Sequence, residues 1–173
     1  MNSKIEEDLT GAGGKKSKKK LDKLGFKPQI DLKKMPHILQ SSKEGCPTAC
    51  AVMLLNYKSI KVSYRELQKK VFNWKRMDET QLRQVIESYG IKTIPVKSLE
   101  EAKKIVQNGK PVCVLVDRSI YSKGRIHWIV LRGYKENTFI GSDPADKQLR
   151  RLESKTLDAA IKSSRVKILF TLQ

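Results

Sequence analysis

The sequence predicts an α+β fold in which an N-terminal helical half packs on a C-terminal antiparallel sheet. Two observations carry this prediction. Apolar residues recur at helical spacing between about residues 46 and 90, whereas short continuous apolar runs bounded by turn residues dominate after residue 110. Helices that come first and strands that come later are typical of α+β domains, because a parallel sheet requires strands and helices that alternate.

Three helices are predicted before residue 91. The run Cys46–Tyr57 is almost wholly apolar, which is typical of a buried helix, and Pro47 suits its first turn. The next two helices begin at capping signals, a Ser-x-x-Glu box at Ser63 and an aspartate at Asp78. They are expected to end near residues 71 and 90.

The predicted strands are short apolar runs. They cover residues 91–96, 111–116, 126–131, 138–141, 149–152 and 166–172. Residues 98–106 and 156–161 have the pattern of two further helices, and residues 133–137 are predicted to form the turn between the third and fourth strands.

The chain is predicted to consist of a flexible basic segment or linker, residues 1–35, and one folded domain, residues 36–173. The first segment holds the lysine-rich run 15–20 and has too few apolar residues for a core. Its Gly13-Gly14 pair is compatible with a double-glycine export leader, but we favour a plain linker to something upstream.

The charge balance indicates a polyanion-binding domain. The chain carries 36 basic and 18 acidic residues, a net charge of +18. Residues 1–36 hold 10 basic and 5 acidic residues, which leaves +13 for the rest. A domain this basic attracts nucleic acid first and anionic membranes second, unless the charge serves solubility alone.

The cysteines indicate a reducing compartment or a reactive thiol rather than a disulfide framework. There are three, Cys46, Cys50 and Cys113, and two of them lie one helical turn apart. A zinc site is also a poor fit, since the only histidines are His37 and His127 and no second ligand pair lies near Cys46 and Cys50. We therefore expect no metal and no cofactor.

Four residues form a candidate catalytic constellation. Cys46 stands in the first turn of a buried helix, where the helix dipole favours the thiolate. His127 begins an apolar strand, and Asp143 ends the next one, so the carboxylate can hold one imidazole nitrogen while the other acts as base. Gln40 can donate an amide hydrogen bond to an oxyanion. Each residue alone has an ordinary structural explanation, but the four together favour an enzyme.

These residues resemble the C39 peptidase family, papain-like domains best known from bacteriocin-processing transporters. The family's glutamine, five residues and helix-start cysteine match Gln40 and Cys46, and its histidine before an aromatic residue matches His127-Trp128. Its Asp-Pro pair matches Asp143-Pro144. The resemblance covers about residues 36–172 and implies a papain-like fold, with catalytic roles for the glutamine, cysteine, histidine and aspartate.

Two positions depart from the family pattern. Gly45 stands where an acidic residue usually precedes the cysteine, and Pro47 stands where a glycine usually follows it. The backbone N–H of Cys46 is retained, so an oxyanion hole can still form. We expect Pro47 to alter the floor of the cleft and, with it, the family's preference for small residues before the cut.

C39-like folds also resemble C-terminal toxin domains of bacterial polymorphic toxins, including contact-dependent inhibition systems, some of which cleave tRNA. Together with the charge, this resemblance slightly favours an antibacterial toxin that cleaves RNA over the alternative, a cysteine peptidase or related amide hydrolase or deamidase. The predicted substrate-binding residues are Lys43, Lys123, Arg125 and Arg132, with Lys147, Arg150 and Arg151 beyond Asp143.

The expected partners follow from these two readings. They are RNA, with tRNA as one candidate, or a peptide, and for a toxin a cognate immunity protein. The sequence has no membrane span or signal peptide, so we expect a cytoplasmic protein, or delivery to the cytoplasm of a target bacterium if it is a toxin.

Overall fold

The computed structural model describes residues 28–71 and 77–173 of the 173-residue chain. The lysine run and the Gly13-Gly14 pair lie outside the described residues. The helices are α1 (Cys46–Tyr57), α2 (Tyr64–Lys70), α3 (Glu79–Glu87), α4 (Leu99–Gln107) and α5 (Ser154–Ser163). The strands are β1 (Thr93–Pro95), β2 (Val112–Asp117), β3 (Ile126–Lys135), β4 (Thr138–Ser142), β5 (Arg150–Glu153) and β6 (Leu169–Leu172).

The strands form one antiparallel sheet in the order β1-β6-β2-β3-β4-β5. This confirms the predicted α+β class. The helix starts also agree with the sequence, since Ser63 and Asp78 each complete a capping box with the residue three positions later. These boxes satisfy N–H groups that the first helical turn leaves unpaired.

Both faces of the sheet are covered by helices. On one face, Cys113, Trp128 and Phe170 pack against the buried residues of α1, α2 and α3. On the other, Val114 and Ile129 pack against α4 and α5. The N-terminal helical half therefore covers only one side, and the two later helices cover the second because strands β2 and β3 are apolar on both sides.

The hairpin between β3 and β4 is tighter than predicted. Strand β3 continues through Lys135, so that only Glu136 and Asn137 form the turn, instead of residues 133–137. Both turn residues have positive φ, 49° and 61°, as in a type I′ turn. This turn matches the right-handed twist of its strands, which explains why pairing extends further than the apolar pattern does.

The folded part of the chain begins before residue 36, which corrects the predicted domain boundary. Ile30 and Met35 are 1% and 0% exposed. The Gln29 side chain pairs with the backbone of Tyr134, donating to its oxygen at 2.8 Å and accepting from its N–H at 2.7 Å. Residues 28–35 thus dock on strand β3, a contact that a pattern read along the chain does not reveal.

Arg132 fastens this segment to the sheet and is fully buried, 0% exposed. Its guanidinium donates to the carbonyl oxygens of Ile30 and Met35 and to Ser142 Oγ. Burial lowers the pKa of Arg132 to about 9, so it remains charged at neutral pH. The predicted substrate-binding role of Arg132 is therefore wrong: the side chain points into the core, where it satisfies backbone acceptors.

No helix among residues 28–71 and 77–173 is long and apolar enough to cross a membrane.

We expect Arg132→Met to lower the free energy of unfolding by about 2–4 kcal/mol, because buried carbonyl and hydroxyl acceptors lose their donor. Urea unfolding followed by circular dichroism measures this. Arg65→Met is the matched control, since Arg65 is exposed on α2 and its loss is expected to change stability by about 0.5 kcal/mol or less. Equal stability of the two variants would contradict the structural role of Arg132.

Candidate active site

The described residues form a cleft of about 940 Å³ between the N-terminus of α1 and the start of β3. Cys46 and His127 both line it. Apolar side chains make up much of the wall, among them Met77, Leu115 and Trp128. A cleft that is largely apolar and holds a few convergent polar groups is the usual form of a substrate site.

Cys46 is the first residue of α1 and is 7% exposed. Pro47 follows it in the first turn, where its missing N–H leaves no hydrogen bond unmade. The sulfur therefore lies where the helix dipole stabilises negative charge. Its side chain and the His127 imidazole line the same cleft and interact, since Cys46 contributes to the raised pKa of His127.

His127 and Asp143 are joined by a hydrogen bond of 2.7 Å between His127 Nε2 and Asp143 Oδ1. Strands β3 and β4 bring them together, since His127 is near the start of β3 and Asp143 directly follows β4. Because Nε2 is occupied by the carboxylate, Nδ1 is the nitrogen that remains for Cys46. This is the division of roles that a cysteine nucleophile and its base require.

The carboxylate of Asp143 is fully buried and has four partners. Besides His127, it accepts from Arg118 Nε at 2.8 Å, from the Ala145 N–H at 2.9 Å and from the Tyr121 hydroxyl at 3.4 Å. Burial alone raises the pKa of Asp143, but the hydrogen bonds with His127 and Arg118 outweigh it and hold the pKa well below its usual range. Asp143 is therefore ionised.

The imidazole of His127 is held protonated at neutral pH. Burial lowers the pKa of His127, but the hydrogen bond with Asp143 and the interaction with Cys46 outweigh this and raise it to about 9. A protonated imidazole next to the sulfur favours the thiolate. The site thus places an imidazolium between the sulfur of Cys46 and the carboxylate of Asp143.

Arg118 is a member of the site that the sequence analysis missed. It is 9% exposed, and besides Asp143 it bonds Asp146 Oδ1 at 2.6 Å and the carbonyl oxygen of Lys123. The position of Arg118 in the sequence could have indicated this role. Arg118 directly follows strand β2, and Val116 of that strand is paired with His127. A charged residue at that end of an apolar strand lies beside the imidazole.

Gln40 also lines the cleft, close to Cys46. Its backbone N–H donates to the carbonyl oxygen of Pro144 at 3.0 Å, which ties the glutamine segment to the loop that carries Asp143. The structure therefore brings together Gln40, Cys46, His127 and Asp143, the four residues predicted to be catalytic. Their catalytic roles stay predictions.

The charged residues of the cleft are of both signs. Lys43, Lys123 and Arg125 line it, as the sequence analysis predicted, and all three are exposed. The same cleft is lined by the acidic residues Glu44, Asp78 and Glu79. Arg118 adds a cation that is already paired with two carboxylates. The wall is thus mixed in charge rather than continuously basic.

The other two cysteines lie behind the site, in the core. Cys50 and Cys113 are both 0% exposed, and they lie close enough for Cys113 to affect the pKa of Cys50. Burial raises the pKa of Cys50 well above its usual value, and the contact with Cys113 raises it further. Neither thiol has the exposure or the charge environment of a nucleophile. Within the described ranges, no group of three or more His, Cys, Asp or Glu residues is placed to hold a metal ion.

The model of one protein family, the Peptidase_C39 like family, matches residues 32–164. The chain belongs to the Peptidase_C39 like family. This confirms the C39 resemblance, and the matched range begins before residue 36, in agreement with the packing of Met35. A search of curated proteins gives no match.

Solved structures of Peptidase_C39 relatives share the fold at low identity. A protein from Bacillus anthracis described as a C39-like peptidase is 17% identical, with a TM-score of 0.65 over 83% of this chain and 96% of that one. The peptidase domain of Streptococcus ComA, a bifunctional ABC transporter of a quorum-sensing pathway, is 17% identical, with a TM-score of 0.62 over 78% and 95%.

A third structure is a double glycine motif protease from an AMS/PCAT transporter in complex with the leader peptide. It is 19% identical, with a TM-score of 0.59 over 81% of this chain and 91% of that one. These likenesses confirm the papain-like α+β fold of the Peptidase_C39 like chain.

We expect iodoacetamide to modify Cys46 in the folded protein and to leave Cys50 and Cys113 unmodified, because only Cys46 lines the cleft beside an imidazolium. Peptide mapping by mass spectrometry identifies the labelled thiol. His127→Ala is expected to slow the labelling at pH 6, where the thiolate depends most on its cationic partner. Faster labelling of either core cysteine would contradict the assignment.

Proposed function

We propose that the protein is a cysteine peptidase that cleaves a peptide bond in its cleft. The observation that carries the proposal is the His127–Asp143 hydrogen bond in a cleft that Cys46 and Gln40 also line, with Cys46 interacting with the imidazole. Membership in the Peptidase_C39 like family supports it. The basic charge, which favours RNA in the sequence analysis, is weaker support because it does not select a reaction.

The reaction begins with attack of the Cys46 sulfur on the carbonyl carbon of the scissile bond. The negative charge that develops on the oxygen is stabilised by the Cys46 backbone N–H and the Gln40 side-chain amide. His127 then donates its proton to the leaving amine as the C–N bond breaks, which leaves a thioester on Cys46. A water molecule, deprotonated by His127, hydrolyses the thioester and regenerates the thiolate.

Asp143 and Arg118 act on His127 rather than on the substrate. The carboxylate fixes the ring with Nε2 toward Asp143 and stabilises the imidazolium. Arg118 holds the carboxylate from its other oxygen. In this scheme Asp143 keeps its charge throughout, since its hydrogen bonds with His127, Arg118 and the Ala145 N–H favour the ionised form.

A peptide is the proposed substrate class. One relative was solved with a leader peptide bound, and its fold covers 81% of this chain. An extended peptide suits a cleft that is lined both by apolar side chains such as Leu115 and Trp128 and by charged residues of both signs. Lys43, Lys123 and Arg125 are proposed to contact acidic or carbonyl groups of that peptide.

RNA cleavage by an antibacterial toxin, which the sequence analysis slightly favoured, has less support. A ribonuclease of that kind needs a cleft wall that attracts phosphates. Here Asp78 and Glu79 line the same cleft as Lys43 and Lys123, and Arg132 is fully buried. An immunity partner and a toxin role rest on the fold resemblance alone.

We expect purified protein to cut members of a peptide library and to leave total RNA intact. Cys46→Ala and His127→Ala are expected to lower peptide cleavage by about 10³-fold or more, because they remove the nucleophile and its base. Asp143→Ala is expected to follow them, while Cys50→Ala affects stability rather than turnover. Mass spectrometry of the peptides and gel electrophoresis of the RNA give the two readouts.

Two outcomes would overturn the proposal. Discrete RNA fragments that disappear in Cys46→Ala, with no peptide cut, would restore the ribonuclease reading. Full peptide cleavage by Cys46→Ala would remove this residue from the chemistry.

We expect the pH profile of kcat/KM to fall above about pH 9. The pKa of His127 is raised to about 9 in the folded protein, so the imidazolium that protonates the leaving amine is present below this pH and lost as pH rises through it. Asp143→Asn removes the carboxylate that raises this pKa, and is therefore expected to move the basic limb to lower pH. If the basic limb of the profile lies at the same pH in Asp143→Asn, then Asp143 does not determine the pKa of that limb.

A further inference from the structure

The space beside Gly45, the residue next to Cys46, is filled by the side chain of Tyr64. Gly45, directly before Cys46, has no side chain. Tyr64, at the start of α2, places its hydroxyl where a side chain at position 45 would begin. A Cβ built on Gly45 would lie 2.1 Å from this oxygen. The same Cβ would lie 3.2 Å from Gln40 Cβ. Tyr64 and Gln40 therefore border one space beside Cys46.

Two buried polar atoms at this place have no hydrogen-bond partner among the described residues. They are the Tyr64 hydroxyl oxygen and Gln40 Oε1. Leaving such atoms unpaired costs free energy, and the two are complementary, because a phenol can donate while an amide oxygen only accepts. The backbone of Gln40 is anchored to Pro144, and Gln40 Cβ and the Tyr64 hydroxyl both lie within 3.2 Å of the position that a Cβ on Gly45 would take.

We propose that Tyr64 is a positioning residue for Gln40, with its hydroxyl donating to Gln40 Oε1. The bond holds the amide in one orientation, with the Nε2 donor directed into the cleft toward the oxyanion. This inference rests on the proposed peptidase function, because an oriented donor matters only where an oxyanion forms. Tyr64 itself does not touch the substrate.

The same contact accounts for the glycine at position 45. A Cβ there would lie 2.1 Å from the Tyr64 hydroxyl, so Tyr64 would have to move to admit a side chain. The family pattern that the sequence resembles has an acidic residue at this place, so in this chain the tyrosine hydroxyl takes over the space beside the glutamine. Ser42 Oγ, 3.3 Å from the same Cβ position, is the other hydroxyl nearby, and it belongs to an exposed residue.

Kinetics of peptide hydrolysis in a double-mutant cycle test the proposal. Tyr64→Phe keeps the ring and removes only the hydroxyl, and is expected to lower kcat about 5- to 10-fold with KM little changed. Gln40→Ala is expected to lower kcat about 10²- to 10³-fold, the loss typical of an oxyanion donor. Adding Tyr64→Phe to Gln40→Ala is expected to cost nothing further, whereas Ser42→Ala is expected to match the wild type.

An equal loss from Tyr64→Phe in both backgrounds would overturn the inference, because the hydroxyl would then act independently of Gln40. So would wild-type kcat in Tyr64→Phe. Iodoacetamide labelling of Cys46 forms no oxyanion, so its rate is expected to be the same in wild type, Tyr64→Phe and Gln40→Ala. A slower rate in Tyr64→Phe would show instead that the tyrosine supports the thiolate or the packing around it.

A second measurement needs no peptidase activity and separates the two proposals. The side-chain amide resonances of Gln40, assigned by their loss in Gln40→Ala, are expected to shift in Tyr64→Phe and to stay in place in Ser42→Ala. If the protein cuts no peptide, the proposed function fails while the nuclear magnetic resonance result still decides the contact. Unchanged Gln40 resonances in Tyr64→Phe would exclude the hydrogen bond.

Discussion

The buried carboxylate of Asp143 is the constraint on which this end of the molecule depends. A charge with no exposure is tolerated only if it is paired, and removing one partner of such a group is strongly destabilising. Asp143 meets the condition through His127 from β3 and Arg118 from the end of β2. Arg118 extends the pairing to Asp146, which in turn binds Arg150 at the start of β5. These ion pairs and hydrogen bonds link the ends of the four neighbouring strands β2, β3, β4 and β5. They also fix the orientation of the His127 imidazole.

The sequence allowed prediction of those features that a short stretch of chain determines by itself. The capping boxes at Ser63 and Asp78 and the buried helix at Cys46 are local patterns, and the strands beside His127 and Asp143 are consecutive, so their side chains could be expected to meet. Contacts between distant segments could not be predicted in this way. The docking of residues 28–35 on β3 and the inward direction of Arg132, at the irregularity between Leu131 and Gly133, depend on the assembled sheet.

Net charge does not by itself decide which substrate a cleft attracts, for a related reason. The count of basic residues treats every lysine and arginine as available to a partner, whereas the fold uses some of them internally. Arg132 binds backbone carbonyls and Arg118 binds two aspartates, so neither is free to hold a phosphate. Those that do reach the cleft share it with carboxylates. The spatial distribution of charge, rather than its sum, decides what a cleft can attract.

The two departures beside Cys46 act on the same part of the reaction. Pro47 has no N–H, so it offers no backbone donor next to that of Cys46, and Gly45 has no side chain that could orient a neighbour. In the proposed mechanism the oxyanion then depends on the Cys46 N–H and on the amide of Gln40. A glutamine side chain stabilises an oxyanion well only if its amide is already held in one orientation. Otherwise the loss of side-chain entropy on ordering the amide adds to the activation free energy. The absence of a side chain at position 45 leaves the space that the Tyr64 hydroxyl occupies, so in the proposal the glycine and the tyrosine form one feature of the site.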